Sequence, residues 1–297
     1  MNRPDFLDLN QVSASFGRAA SDYEKYAQLQ KQIADNLLER IQELNLKPQV
    51  ILDVGSGTGY LARHLAKMYP AAHIYHLDLA LPMLTHAKNR ITNKFPFFTQ
   101  SKQHFICSDA AFLPIADRQI DLLVSNLMLQ WCNEVEQVVS EFARVLQADG
   151  ALLFSTFGLD TLQELRNCWA QVDDNSHLNH FFDMHELGNA LFHSGLVNPV
   201  MDTEWTKSYY AEAKILMQEL KAIGAHNVTA ARPRGLMGRQ KFSQLIQHYE
   251  RYRTTAGLPA TYEIIYGYAR GRKADEQIKQ QDGSIIIPMS SIPRKLS

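Results

Sequence analysis

Apolar residues recur at Leu29, Ile33, Leu37, Leu38, Ile41 and Leu44, a spacing that predicts an amphipathic helix over residues 28–46, and Pro48 separates it from the first strand. Beyond Pro48 the pattern changes to short apolar runs bounded by glycine, aspartate and asparagine, alternating with helical periods. The expected order is strand 49–54, helix 59–69, strand 73–78, helix 81–93, strand 104–107, strand 119–126, helix 133–147 and strand 150–157. Strands and helices alternating in this way imply an α/β fold whose mostly parallel sheet carries helices on both faces. Ligands of such sheets sit beyond the carboxyl ends of strands, where the winding reverses. Asp53, Asp78, Asp109 and Asn126 all fall at or just past expected strand ends.

After Phe157 the regularity changes. Residues 158–195 and 211–257 read as helical insertions folded over the ligand side of the sheet, with polar turns at 173–176 and 233–235. The core, 47–157, is expected to be completed by about 196–210 and 258–272, the latter holding a β-rich run over 262–268. A charged tail, 273–297, is assigned no function.

Composition narrows the classes. At 297 residues, 45% hydrophobic and 21% charged, the chain reads as an ordinary globular protein able to bury a core. A net charge of −1 argues against nucleic acid or an anionic membrane as the main partner, so charge recognition must be local. Cys107, Cys132 and Cys168 are scattered without CxxC spacing, which fits a reducing compartment and no metal site. The first residues carry no apolar targeting core and no long uncharged apolar run occurs, so a cytoplasmic protein without a membrane span is expected.

The candidate chemistry centres on residues 49–59, an apolar strand that ends in Asp53 and breaks into Gly55, Ser56, Gly57 and Gly59. Glycines permit positive φ and close approach of a ligand, and the following helix offers unpaired N–H groups. A dinucleotide fingerprint places its third glycine three residues after the second, whereas Gly59 comes two after Gly57. Asp78 lies 19 positions after Gly59, where a carboxylate can accept from both hydroxyls of a ribose, and Asp109 can accept from an adenine amino group. Each acid alone is also an ordinary cap or turn residue. Together with the glycine turn they point to a nucleoside-like ligand.

This pattern resembles motif I of the class I methyltransferases over about 45 to 157. The resemblance implies a seven-stranded, mostly parallel Rossmann-like sheet and S-adenosyl-L-methionine as cofactor, with Leu79, Met83, Ala110, Asn126 and Gln130 among its contacts. The flanks resemble a narrower family, the malonyl-acyl-carrier-protein methyltransferases of biotin synthesis. The similarity runs through Phe16–Tyr23, Asn126–Trp131, Thr156–Arg166, Asp183–Gly188, Leu220–Asn227 and Gly257–Glu263. It implies that residues 1–46 close over the cofactor, with Phe16, Tyr23 and Gln30 against it, and that the acceptor is the free carboxylate of a malonyl thioester. The methyl ester masks that carboxylate while fatty-acid enzymes extend the chain.

The chemistry itself asks for few groups. A carboxylate is already ionised at neutral pH, so methyl transfer needs no general base, only an anchored acceptor at attack distance. Arg166 is the expected anchor, Tyr23 and Gln130 are expected near the methyl, and Phe16 and Trp131 supply apolar walls. His185 is expected to start a helix. Carrier proteins are acidic, so Arg232, Arg234 and Arg239, with Lys241, Arg251 and Arg253 nearby, form a candidate dock beside Trp131; the same residues also read as a solvated face. A monomer is expected. Two rival readings share the scaffold: a protein-arginine hydroxylase that assembles respiratory complex I, and a non-catalytic S-adenosylmethionine-binding assembly factor.

Overall fold

The computed structural model describes residues 6–94, 102–225, 227–229, 238–273, 278–279 and 285–286, with the backbone alone at 92–94 and from 278 onward. Three helices lead: α1 (Leu9–Ala19), α2 (Tyr23–Tyr26) and α3 (Gln28–Glu43). Asp8 caps α1 by accepting from the Gln11 N–H, and the helical period of α3 buries Ile33, Leu37, Leu38 and Ile41.

The alternating region follows as β1 (Val50–Val54), α4 (Tyr60–Met68), β2 (His73–Asp78), α5 (Leu81–Lys94), β3 (Gln103–Cys107), β4 (Ile120–Asn126), α6 (Val135–Val145) and β5 (Leu146–Phe157). Next come α7 (Gln163–Ala170), α8 (Met184–His193), β6 (Val197–Tyr210), α9 (Ala213–Ala222), α10 (Arg239–Glu250) and β7 (Leu258–Arg270). The strands form one sheet in the order β3-β2-β1-β4-β5-β7-β6, parallel except that β7 runs antiparallel to both neighbours. The winding reverses between β1 and β4, which places the glycine turn at the reversal.

Each face of the sheet has its own core. One packs Leu37, Ile51, Leu65, Leu122, Leu165 and Tyr249 between the sheet and α3, α4, α7 and α10. The other packs Leu52, Leu123, Val139, Phe142, Leu152 and Leu187 beneath α6 and α8. Burying one such leucine contributes about 1.5–3 kcal/mol. The region after Phe157 is less helical than its pattern implied: residues 171–183 hold no helix between α7 and α8. The last large strand is longer than 262–268 because β7 lies between two neighbours and is buried along most of its length. Two short strands, β8 (Ile278–Lys279) and β9 (Ile285–Ile286), pair with each other in the tail. Among the described residues no helix is long and apolar enough to cross a membrane.

Candidate functional site

Between β1 and α4 the chain turns through Gly55, Gly57 and Gly59 at φ 74°, 53° and 76°. The Gly55 and Ser56 N–H groups donate to the Leu77 carbonyl at 2.8 and 3.0 Å, and the Gly57 N–H donates to Asp78 Oδ2 at 2.8 Å. Asp78 Oδ1 accepts from the Ala80 N–H at 2.8 Å, so this carboxylate ties the turn to the end of β2. A methyl group on Gly55 would strike the Met128 side chain, and one on Gly59 would press on Ala87 and the His76 ring. One on Gly57 would meet nothing within 4 Å, which marks Gly57 as the point open to a ligand.

Burial pushes the Asp78 carboxyl above its ordinary value. Burial and the neighbouring Asp78 charge push Asp53 up to about 8, while the Ala62 N–H favours its charged form. Asp53 Oδ2 and Ser56 Oγ are buried without a hydrogen-bond partner among the described residues. A desolvated acid, Asp78, beside an open glycine suits a ligand with positive charge and hydroxyl donors. S-adenosylmethionine, with its sulfonium, ammonium and ribose, meets that requirement.

A cavity of about 100 Å³ opens at this turn. Gly55, Gly57, Asp78, Leu79, Met83 and Asp109 line it, Ala110 and Asn126 extend it, and α1 and α2 close it with Phe16 and Tyr23. The remaining expected cofactor contacts stand elsewhere. Asp53 points back at the first turn of α4, and Ser56 and Gly59 lie behind the turn, where Gly59 caps α4 in a left-handed conformation. Gln30 and Gln130 line a second cavity instead. The Gln130 amide donates to the Leu127 carbonyl at 2.7 Å and accepts from Thr156 at 3.0 Å, so it braces the wall from within. Sequence reasoning missed Val12 and Ser13, which the helical period of α1 turns toward the same cavity as Phe16.

The second cavity is about 1290 Å³. Its walls come from α1 and α2, α7, residues 173–179, the end of α9 and the start of α10. Phe16, Tyr23, Leu127 and Trp131 line both cavities and so form the partition. Phe16 meets Trp131 edge-on at 5.0 Å and 88°. Burial pushes the Tyr23 hydroxyl far above its ordinary value, with Asp78 and Glu24 adding to the effect, so it stays protonated. On the far wall Trp169 stacks on His177 at 3.6 Å. His177 meets Asp173 at 2.7 Å and Asp173 pairs with Lys241 at 2.6 Å. The Lys241 contact, with that of His177, holds the Asp173 carboxyl well below the usual range although burial opposes it.

Arg166 is not in this wall. Its guanidinium donates to the carbonyls of Leu159 at 2.6 Å and Thr161 at 3.1 Å, bracing the left-handed entry into α7 at Leu162. The cations that do line the cavity are Arg18, Lys221 and Lys241. Arg239 is exposed at the start of α10, beside the cavity residues Gly238 and Gln240, whereas Arg232 and Arg234 lie outside the described residues. Arg253 pairs with Glu250, and Arg251 meets Gln171. Asp183 caps α8 by accepting from the His185 N–H at 2.6 Å, so His185 starts that helix. Among the described residues no cluster of His, Cys, Asp and Glu could hold a metal ion.

Residues 52–154 match the model of a methyltransferase domain. The chain is 43% identical to the malonyl-acyl-carrier-protein O-methyltransferase of Gallionella capsiferriformans, over 96% of this chain and 97% of that one. It is 42% identical to the protein of the same name from Laribacter hongkongensis, over 97% of both. Among solved structures, the YcgJ protein of Bacillus subtilis matches with a TM-score of 0.54 at 19% identity, over 76% of this chain and 93% of that one, a likeness of fold.

Proposed function

Since the chain belongs to the malonyl-acyl-carrier-protein O-methyltransferase family, we propose that its two cavities divide the reaction between them, cofactor in the smaller and malonyl thioester in the larger. The protein is an S-adenosylmethionine-dependent methyltransferase that esterifies the free carboxylate of malonyl-carrier protein. Relatives matched along nearly the whole chain carry that activity in their name, which sets the hydroxylase and assembly-factor readings aside. The observation that carries the division is the shared partition: groups held in the two cavities meet across Phe16, Tyr23, Leu127 and Trp131.

Bound at the glycine turn, S-adenosylmethionine supplies an electrophilic methyl on a positively charged sulfur. Gly57 would let the backbone approach, Asp78 would accept from ribose hydroxyls, and Asp109 would accept from the adenine amino group. Met83 and Leu79 enclose the base. Tyr23 stays neutral at the partition, where it orients the acceptor and excludes water without moving a proton. A malonyl carboxylate is ionised at neutral pH and needs no base.

Lys221 is better placed to anchor the carboxylate than Arg166, whose guanidinium donates to the Leu159 and Thr161 carbonyls. Lys221 stands in the last turn of α9, on the wall of the larger cavity, while Lys241 is committed to Asp173 and Arg18 donates to Ser15. An ammonium holds one carboxylate oxygen as a point charge and leaves the other free to attack, where a bidentate arginine would hold both and overstabilise the ground state. Residues 1–46 serve as the closing segment, and 158–195 with 211–257 as the cap that receives the thioester arm. Arg239 and Arg251 border the cap as docking charges for an acidic carrier. The enzyme acts as a cytoplasmic monomer, with no part for nucleic acid.

The test is to incubate purified protein with S-adenosylmethionine and malonyl-carrier protein and follow the carrier by intact mass. One methyl gained on malonyl-carrier and none on acetyl-carrier supports the reading; no gain with folded, cofactor-binding enzyme rejects it.

A further inference from the structure

Glu24, next in the chain after Tyr23, takes no part in methyl transfer, yet three separate elements of the core converge on its carboxylate. Oε1 accepts from the Thr58 hydroxyl at 2.7 Å and from Arg63 at 2.9 Å, and Oε2 accepts from Arg90 at 2.7 Å. Thr58 lies inside the glycine turn, Arg63 on α4 and Arg90 on α5. The receiving groups are themselves fixed: Arg63 also donates to the Thr58 carbonyl at 2.6 Å, and Arg90 Nε meets His86 at 2.9 Å. The Glu24 side chain is 13% exposed. Burial alone would raise its carboxyl, but the Thr58, Arg63 and Arg90 contacts outweigh burial and keep it below its ordinary value. A network of several charges of this kind, sharing one carboxylate, holds its members together more firmly than an isolated surface pair.

Beyond Glu24, α2 is held chiefly by Tyr23, which packs against Ala20, Ala80 and Met83. The helix is four residues long, buries none of them, and has no side-chain cap. Its neighbour α1 is tied to the core by a neutral bond from Ser13 to the Leu79 carbonyl at 3.1 Å and by Gly17 lying against Pro82. The place of α2 therefore rests on Glu24 together with the packing of Tyr23 against Phe16, Ala80 and Met83. The cavity beneath is about 100 Å³, well below the ~300 Å³ at which small-molecule pockets begin, so a nucleoside-sized ligand needs its walls, this segment among them, to shift to make room.

We propose that Glu24 is a latch: its bonds to Thr58, Arg63 and Arg90 hold the N-terminal segment shut over the cofactor cavity and position Tyr23 at the partition. The proposal rests on the reading that the smaller cavity holds the cofactor. Because Thr58 belongs to the glycine turn, the latch joins the lid to the element that contacts the ligand.

The test is the dissociation rate of S-adenosylhomocysteine, by chase from the preformed complex, for wild type, Glu24→Ala, Glu24→Gln and Arg90→Ala. Glu24→Ala is expected to speed release about tenfold or more, on the scale of lost hydrogen bonds to a charged group, and to slow single-turnover methyl transfer by a similar factor. Glu24→Gln, which keeps the shape and loses the charge, should fall between wild type and Glu24→Ala. Arg90→Ala should shift the rate in the same direction, and the double variant Glu24→Ala/Arg90→Ala should release no faster than Glu24→Ala alone. A structural role alone would lower the melting temperature and leave the release rate unmoved. If Glu24→Ala does not fold, Arg90→Ala carries the test. Release within twofold of wild type in every folded variant overturns the latch; a wild type that binds no S-adenosylhomocysteine overturns the cofactor reading beneath it.

Discussion

The two cavities meet at one partition but are assembled differently. Most of the smaller one is drawn from strand ends and the turns just after them, and its key carboxylate, Asp78, is already fixed by two backbone N–H groups. The larger one is drawn from segments far apart in the chain, and of its three cations only Lys241 is held in an ion pair among the described residues. The difference teaches where rigidity is placed. On the proposed division, a cofactor used in every turnover is met by groups set in advance, whereas an arm delivered by a second protein is met by a roomy wall with a cation in reach of it.

The comparison breaks most severely at Gly57. Gly57→Val fills the space left for the ligand and strains a residue at φ 53°, so cofactor affinity measured by calorimetry should fall beyond a hundredfold. An affinity within tenfold of wild type would mean that the turn does not meet the ligand. Asp78→Asn comes next. It removes the charged acceptor, and a loss of about 10- to 100-fold in cofactor affinity is expected with KM for the carrier unchanged. A rise in that KM alone would put Asp78 on the wrong side of the partition.

Arg166→Ala sharpens the contrast from the other side. Two carbonyls lose their donor, so stability should drop by about 1–3 kcal/mol in denaturant unfolding, with turnover of the folded enzyme within threefold. Loss of turnover at unchanged stability would return Arg166 to the substrate. Asp53 is read through pH. Its folded pKa of about 8 lies above the ordinary 3.8, so between roughly pH 4 and 8 the native state keeps a proton that the unfolded chain has released. Stability of the ligand-free protein should therefore decline as pH rises through that window. The decline should be flatter in Asp53→Asn, and an equal slope in both proteins would show that Asp53 is ionised in the fold.

The same division governs what the sequence could reveal. Alternating apolar runs located the strands and helices of residues 49–157 to within a few residues, because each signal is local. Gly57, Asp78 and Asp109 were visible for the same reason: each lies at or near a strand end. The larger cavity was not legible in that way. Arg166 stood in the right segment, but no spacing reveals that a left-handed residue at Leu162 leaves carbonyls which a guanidinium then brackets. Lys221, in the last turn of a helix, reads as an ordinary solvated lysine until the fold places it on the wall of the larger cavity. Gln130 looked like a contact for the methyl, and its amide is spent on Leu127 and Thr156.

The division of labour is tested most directly by Lys221→Met, which keeps an unbranched chain and removes the charge. Two constants should be measured on the same preparation: the affinity for S-adenosylhomocysteine and KM for malonyl-carrier protein. A KM raised about tenfold or more with cofactor affinity within twofold of wild type is predicted. An unchanged KM, or a parallel loss of cofactor affinity, would contradict the assignment of the larger cavity to the malonyl carboxylate.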